Sequence, residues 1–489
     1  MKYVRDESVF MFKLYPIPEE TKKCEHFSVK VNGNQVDIYS CLVSAIPFNT
    51  PWPGHERCIS QAEEASFLYV DTDEILNFEI VPEKEFSDLK IRPISKNITT
   101  NVSGKNIKFS AGVGQYTVEL DGHHNALHIF INPIKNYCVD INDKSVIYFG
   151  AGVHFPGTIE LKSGQTLFVD SGAVVHASVR AEDCENVKVL GHGIIDYETF
   201  RRHDPLIWEY DGLMNFVRCK NIIIDGVILK DSAWWTVSAF NCENFLIDNV
   251  KVIGMWRYNT DGFDMVNSSH VIIRNCFLRT FDDSIVFKGL KIMENGKNRG
   301  YDLKNVEDHL VENCVIWCDW GRSLEIGAET CADEYVNICY KDCDLIHNDF
   351  AAMDIQNGDR ADIHDVLYEN IRVEYSKYWI EGKIQETEDS VYLPKNEPHL
   401  ARLMFSEMNV GKWSQDLIYG HTRNVEFKNI TVYLDEGLPL PVVEFGGGTE
   451  NNLAENISVE NLVINGVRYV NKEKANFKNH KFSKNITLK

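Results

Sequence analysis

The chain has little that would take it to a membrane or a nucleic acid. None of its 489 residues falls in an apolar stretch of the roughly twenty residues needed to cross a bilayer as a helix. Positive charge is scarce, with 50 Lys and Arg against 72 Asp and Glu and a net charge of -22. Nucleic acids and anionic lipid surfaces are held by cations that neutralise phosphates, so neither is expected as a partner. The opening MKYVRDESVFMFKLYPIPEE also lacks the run of about seven to fifteen apolar residues behind a basic head that marks a secretory leader. A cytoplasmic location is therefore expected, although a secreted chain stripped of its leader would read the same way.

Metal and disulfide signatures are missing too. The 13 cysteines are odd in number and scattered, with no CxxC facing another and no Cys/His set at zinc spacing. Cys184, Cys219, Cys242, Cys276, Cys314 and Cys343 fall beside the repeated strands described next, where small buried apolar residues belong. Mostly free thiols and no metal are expected. Helical periodicity of useful length is absent as well.

What is present is a repeat. From residue 184 a small or polar residue, an Asn and then alternating apolar residues recur, as in CENVKVLGHGIIDY, CKNIIIDGVILKDS, CENFLIDNVKVIGM and SSHVIIRNCFLRTF, down to the final SKNITLK. Most copies lie about 23 to 35 residues apart, and each holds two short strands parted by Asn, Asp or Gly. Such a unit cannot bury its apolar face alone, so copies must stack. Stacking at about 4.8 Å per coil gives a right-handed parallel β-helix. A sandwich or propeller of similar strand density fits less well, because the Asn phrase is tied to the start of each strand. The longer spacings at 291–308 and 376–420 become loops projecting from one coil.

Residues 1–137 lack the phrase and alternate instead, as in HFSVKVNG, QYTVELDG and ALHIFINP, broken by NGN, NVSG and DGHH turns. An antiparallel β-sandwich is expected there, joined through INPIKNY at 131–137 to a β-helical domain over 138–489. The protein is thus expected to be all-β. The sequons at 97, 101, 267, 429, 456 and 485 read as asparagines stacking at strand starts.

The stretch NTDGFDMVNSSHVIIRNCFLRTFDDSIVFKG, residues 259–289, carries Asp261 and, 21 and 22 positions later, Asp282 and Asp283. That spacing is about one coil, so all three can meet on adjacent rungs. Neighbours in a regular strand point to opposite faces, so Asp282 and Asp283 can share a side only if the chain turns or bulges between them. Clustered carboxylates repel, which keeps at least one protonated. An acid beside a carboxylate is what glycosidic hydrolysis requires, one to protonate the departing oxygen and one to activate water. By composition alone, however, an Asp-Asp pair is a solvated turn.

This stretch resembles the polygalacturonase family, glycoside hydrolase family 28, and its β-helical relatives of the dextranase and isopullulanase type. In that family an Asn-Thr-Asp-Gly segment, here 259–262, is followed one coil later by Asp-Asp leading to Lys-Gly, here FDDSIVFKG. GAGVHFPGTIELKSGQTLFVDSGAVV at 150–175, GHGIIDY at 191–197 and DSAWWTVSAFNCENFLI at 231–247 are similar to its first coils, its turn and its Trp-containing strand. The resemblance implies Asp282 as general acid, Asp261 and Asp283 as bases on water, inversion at the anomeric carbon, and neither metal nor cofactor. Two segments depart from it. GRSLEIGAE at 321–329 puts Arg322 at the family's histidine position and adds Glu325. AAMDIQ at 351–356 offers Asp354 and Gln356 where an Arg-Ile-Lys would grip a uronate. An acid and an amide suit sugar hydroxyls better than a carboxylate, so galacturonate is weakened as substrate.

Other candidates are Trp235 and Trp256, which either stack on sugar rings or fill space between coils, with Trp234 and Tyr258 less favoured. Lys288 and Arg322 either contact substrate oxygens or pair with nearby acids. Asn259 orients Asp261 or touches substrate, while His192 and Asp264 read as turn residues. The expected activity is hydrolysis of an oligo- or polysaccharide, from one chain end if the location is cytoplasmic, and homo-oligomerisation is compatible with the sequence. A dextranase-like α-glucan hydrolase, a non-catalytic tailspike-like binder and a β-helical lyase are the rivals.

Overall fold

The computed structural model describes residues 12–45, 59–200, 212–291, 303–378, 401–411 and 413–489, together with the strand pieces 293–294, 297–298, 380–382 and 394–398. The loops expected over 291–308 and 376–420 fall largely outside these described residues.

Two sheets occupy the N-terminal part. A five-stranded sheet contains Phe27–Val31, Leu76–Pro82 and Asn106–Ala111, and a six-stranded sheet contains Ala62–Thr72, Leu127–Asn132 and Gly114–Leu120. Strict alternation builds the first: Phe27, Val29 and Val31 face inward while Ser28 and Lys30 face out. They meet Leu68, Val118 and Ile129 of the second sheet in one core, making a sandwich. The six-stranded sheet is covered on both faces, which is why AEEASFLYVDT and LHIFIN read as nearly unbroken buried runs. Its outer face, through Tyr39, Phe67, Tyr69 and Phe130, packs on Val174, Ile194, Ile228, Phe277 and Trp317.

Those last residues belong to a parallel β-helix. Among the described residues, thirty-one strands from Val146–Phe149 to Ser483–Leu488 form one continuous network, most of them pairing in parallel with a counterpart a coil away, while Val467–Tyr469 pairs antiparallel with Ala454–Ile464. Among the described residues there is no α-helix. Met214, Val237, Phe263, Ile285, Leu324, Met353 and Met404 stack as one internal column.

The asparagine phrase has a physical use. Asn186, Asn221 and Asn244 adopt positive φ at the corner where each coil turns into a strand, a conformation Asn tolerates better than most residues. Their side chains hydrogen-bond up the stack, Asn221 to Asn186 and Asn244 to Asn221, each at 3.1 Å. Sequon residues Asn429, Asn456 and Asn485 continue such ladders, and Asn267 is buried against the Leu290 carbonyl at 2.7 Å. Corner cysteines donate to carbonyls of their own and the preceding coil, as Cys219 does to Val217 and Ala181. All twelve described cysteines are free.

Candidate active site

One edge of the β-helix, where strands facing the sandwich turn into the next sheet, collects the acids. The strand Phe277–Thr280 ends before Asp282, and Ile285–Gly289 begins after Asp283. Strand alternation is therefore broken at the Asp-Asp pair. Thr280 Oγ1 donates to the Asp282 carbonyl at 2.7 Å and lies 2.8 Å from Ser284 Oγ, pinning the bend. A Cβ placed on Gly321, one coil later, would lie 2.5 Å from Asp283 Oδ1 and 2.6 Å from Asp282 Oδ1. Both carboxylates therefore border the same point.

Asp261 joins them from the preceding rung. The Gly262 amide donates to the Asp283 carbonyl at 2.8 Å, and a Cβ there would come within 2.2 Å of the Ser284 carbonyl oxygen, so NTDG needs its glycine. Asn259, at φ 57°, donates from Nδ2 to Asp282 Oδ2 at 3.3 Å. It thus orients Asp282 rather than Asp261.

Two cations serve six carboxylates. Lys288 Nζ lies 3.0 Å from Asp264 Oδ1 and 3.4 Å from Asp261 Oδ2, over the Trp235 ring at 4.0 Å. Arg322 donates its backbone N–H to Asp283 Oδ1 at 2.9 Å and its Nε to Asp354 Oδ2 at 3.1 Å. Its Nη2 donates to Gln356 Oε1 at 3.0 Å, and Glu325 Oε1 lies 3.7 Å from its Nε. Phe350 is sandwiched between Arg322 and Arg402, each 4.3 Å from the ring centre. Both cations are thus committed to protein groups, and although burial disfavours their charge, the surrounding acids outweigh it and push Lys288 and Arg322 well above their ordinary values.

With more acids than cations, not all can ionise. Burial and the charge of Asp283 push Asp282 well above the usual carboxylate range. Burial and Asp264 do the same to Asp261, against the pull of Lys288. Burial acts on Asp283 too, but Arg322 and Lys288 outweigh it and hold that carboxyl below its ordinary value. Burial raises Asp264 and Asp354 to about 7 each, opposed by Lys288 and Arg322 respectively. Glu325, fully buried beside Asp283, is raised well above its ordinary value. The two adjacent carboxyls are thus displaced in opposite directions, Asp282 towards its protonated form and Asp283 towards its ionised form, the division that acid–base chemistry on a glycosidic oxygen and a water uses.

Asp261, Asp282, Asp283, Asn259, Lys288, Trp235, Arg322, Glu325, Asp354 and Gln356 are all linked through this network. Trp256 is engaged elsewhere, its Nε1 donating to Asp231 at 3.2 Å and its ring carrying Arg257 at 4.7 Å. Trp234 sits in an apolar cluster with Trp235, and Tyr258 packs on Trp320. His192 pairs with Asp71 of the sandwich at 2.7 Å, away from the acids. Two participants escaped the sequence reading. Asp264, taken as a turn residue, is fully buried against Lys288. It lies outward between inward Phe263 and Met265, and that alternation was the available signal. Gly321 carried no signal, since only its lateral neighbours make it special.

A parallel β-helix with an acid and a carboxylate adjoining on one edge defines the class of β-helical glycoside hydrolases. The family described as glycosyl hydrolases family 28 matches residues 126–388, and the chain belongs to that family. A polygalacturonase of Gossypium hirsutum is 26% identical over 204 residues, 35% of this chain and 47% of that protein. A probable polygalacturonase of Arabidopsis thaliana is 26% identical over 133 residues, 24% of this chain and 29% of that one. The chain spans about half or less of the length of the curated relatives it matches. Among solved structures, a hyperthermoactive exopolygalacturonase from Thermotoga maritima shares the fold with TM-score 0.50 at 17% identity, over 66% of this chain and 84% of that one. Dex49A from Penicillium minioluteum does so with TM-score 0.56 at 13% identity, over 99% of this chain and 98% of that one.

Proposed function

We propose that this family 28 glycoside hydrolase inverts the anomeric centre, with Asp282 as the acid that protonates the departing oxygen. Asp283, kept ionised by Arg322, draws the proton from water, and Asp261 helps hold that water. The observation that carries this reading is the placement of two adjacent carboxyls against one point at Gly321, with surroundings that push them in opposite directions. Asp282→Asn tests it: turnover should fall about a hundredfold to ten-thousandfold with the fold retained, since one positioned proton donor contributes about 10²–10⁴-fold. Products followed by NMR should appear first in the inverted anomeric form. A protein that bound glycan equally well before and after this substitution, and turned over neither way, would be a non-catalytic binder instead.

The substrate we favour is a neutral oligo- or polysaccharide, an α-glucan among the candidates, rather than galacturonate. Neither Lys288 nor Arg322 is spare for a uronate carboxylate. Oδ2 of Asp264 and Oδ1 of Asp354 are buried and make no hydrogen bond in the protein, and such acceptors suit hydroxyl donors. The relatives named polygalacturonases supply the rival substrate, and hydrolysis screened over α-glucan and pectic oligosaccharides separates the two. Cleavage from one chain end is the mode we favour, and mid-length products released early from a polymer would contradict it.

A further inference from the structure

Upstream of the aspartates, a cavity of about 310 Å³ opens where the sandwich meets the β-helix. Tyr39 borders it from the sandwich, and His176, Asp196, Glu198, Lys230 and Asp231 border it from three successive coils. The volume is at the lower end of the roughly 300–1,000 Å³ of small-ligand pockets.

Its chemistry is that of a built site. The Tyr39 hydroxyl is buried beside Tyr69, and His176 Nδ1 is buried with no hydrogen-bond partner in the protein. The His176 ring is stacked on Phe155, with centroids 4.6 Å apart and planes within 5°, and Phe155 is 70% exposed. An exposed aromatic ring thus backs a histidine of the polar cavity's wall, a combination that suits the C–H faces and hydroxyls of a sugar. The carboxylates of Asp196, Glu198 and Asp231 lie within 4.8 Å of one another. A metal ion does not fit them, because Lys230 Nζ already stands 2.8 Å from Asp196 and 3.5 Å from Glu198, while Arg257 pairs with Asp231. With Glu20 and Lys22 added, acids still outnumber cations in the lining, which disfavours an anionic ligand.

Its place in the stack is the second argument. The strand Ile228–Lys230 pairs with Lys251–Ile253, which pairs with Phe277–Thr280, the strand running into Asp282. Lys230 is therefore two rungs, roughly 10 Å, before the acids along the same edge. Asp231 also touches Trp256 and Arg257, which directly precede Asn259 and Asp261.

We propose that this cavity is a saccharide-binding site that holds a short stretch of neutral glycan upstream of the aspartates, so that longer substrates are gripped at both places. The proposal rests on the glycan-processing reading of the aspartates. It assigns Trp256 and Arg257 to supporting the wall between the two places, and makes His176, Phe155 and Glu198 determinants of chain-length preference.

The test uses the full chain carrying Asp282→Asn for calorimetric binding of isomaltose, isomaltohexaose, digalacturonate and hexagalacturonate, with His176→Ala, Phe155→Ala or Glu198→Gln added. Phe155 and Glu198 are exposed, so those two variants keep the fold even if His176→Ala does not. We expect about tenfold weaker binding of the neutral hexasaccharide and unchanged binding of the disaccharide. In the active background, KM should rise about tenfold for the hexasaccharide alone. Equal loss for short and long chains, unchanged hexasaccharide binding, or preference for the uronate hexamer overturns the proposal. If the parent turns over glycans while the variants match it, only this inference falls. If the parent neither binds nor cleaves any of these probes, the hydrolase reading falls with it.

Discussion

Replacing Gly321 by alanine adds one methyl group at the most crowded point of the site. The new Cβ would stand 2.5 Å from the Asp283 amide nitrogen, 2.5 Å from Asp283 Oδ1 and 2.6 Å from Asp282 Oδ1. Carbon needs about 3.4 Å or more from such atoms, close to the 3.5–4.0 Å of optimal carbon contacts, so the aspartates or the turn must give way by nearly an ångström. Moving the carboxyls relieves only the two oxygen contacts, whereas the contact to the backbone nitrogen makes the turn itself shift and carry both carboxyls with it. Gly321 does not hold a positive φ, which leaves steric displacement as the whole effect. Overpacking of this kind costs about 1–3 kcal/mol of stability, whereas misplacing reacting groups by about 1 Å costs about a hundredfold in rate. Gly321→Ala should therefore stay folded, with a melting temperature a few degrees lower, and lose about a hundredfold in kcat with little change in KM. Steady-state kinetics beside thermal unfolding decides it. Activity within about threefold of the parent, with the fold intact, would refute the placement of both carboxyls against this glycine.

Other perturbations read the electrostatics. Arg322→Gln removes the charge that outweighs burial at Asp283, so the acidic limb of the pH–rate profile should move to higher pH; an unmoved limb would remove Asp283 as the ionised base. The same change leaves Asp354 and Glu325 buried without their cation, and should cost about 3–5 kcal/mol in chemical unfolding at neutral pH. Asp264 is protonated more readily folded than unfolded, so it binds the extra proton between its ordinary value near 4 and about 7. Its ionisation therefore erodes stability as pH rises through that window and adds nothing further above it. Asp264→Asn should gain on the parent from pH 4 to 7, by at most about 4 kcal/mol, when melting temperatures are compared across pH. Among the described cysteines, alkylation of the native protein followed by mass spectrometry should label exposed Cys138 first and spare Cys219 and Cys314.

The sequence by itself determined the repeat and much of the site. A β-helix turns distance along the chain into stacking order, so Asn186, Asn221 and Asn244 could be read as a ladder, and Asp261 as a rung neighbour of Asp282 and Asp283, from spacing alone. Family resemblance supplied roles that spacing could not. The break in the strand at Asp282 and Asp283, which lets both carboxyls border one point, appeared in the sequence only as a condition to be met. Tertiary structure decided what depends on lateral neighbours. Trp256 was one of two tryptophans with even claims until its indole N–H was found on Asp231 and Trp235 was found under Lys288. In the sequence Arg322 stood between substrate oxygens and nearby acids, and the structure engages it with Asp283, Asp354, Gln356 and the Phe350 ring. Gly321 and Asp264 acquired importance only from atoms a coil away. Register along a stack is a one-dimensional property that a sequence carries, whereas the partner a buried charge chooses is set by the desolvation and distance of every group around it, and those exist only once the coils have closed on one another.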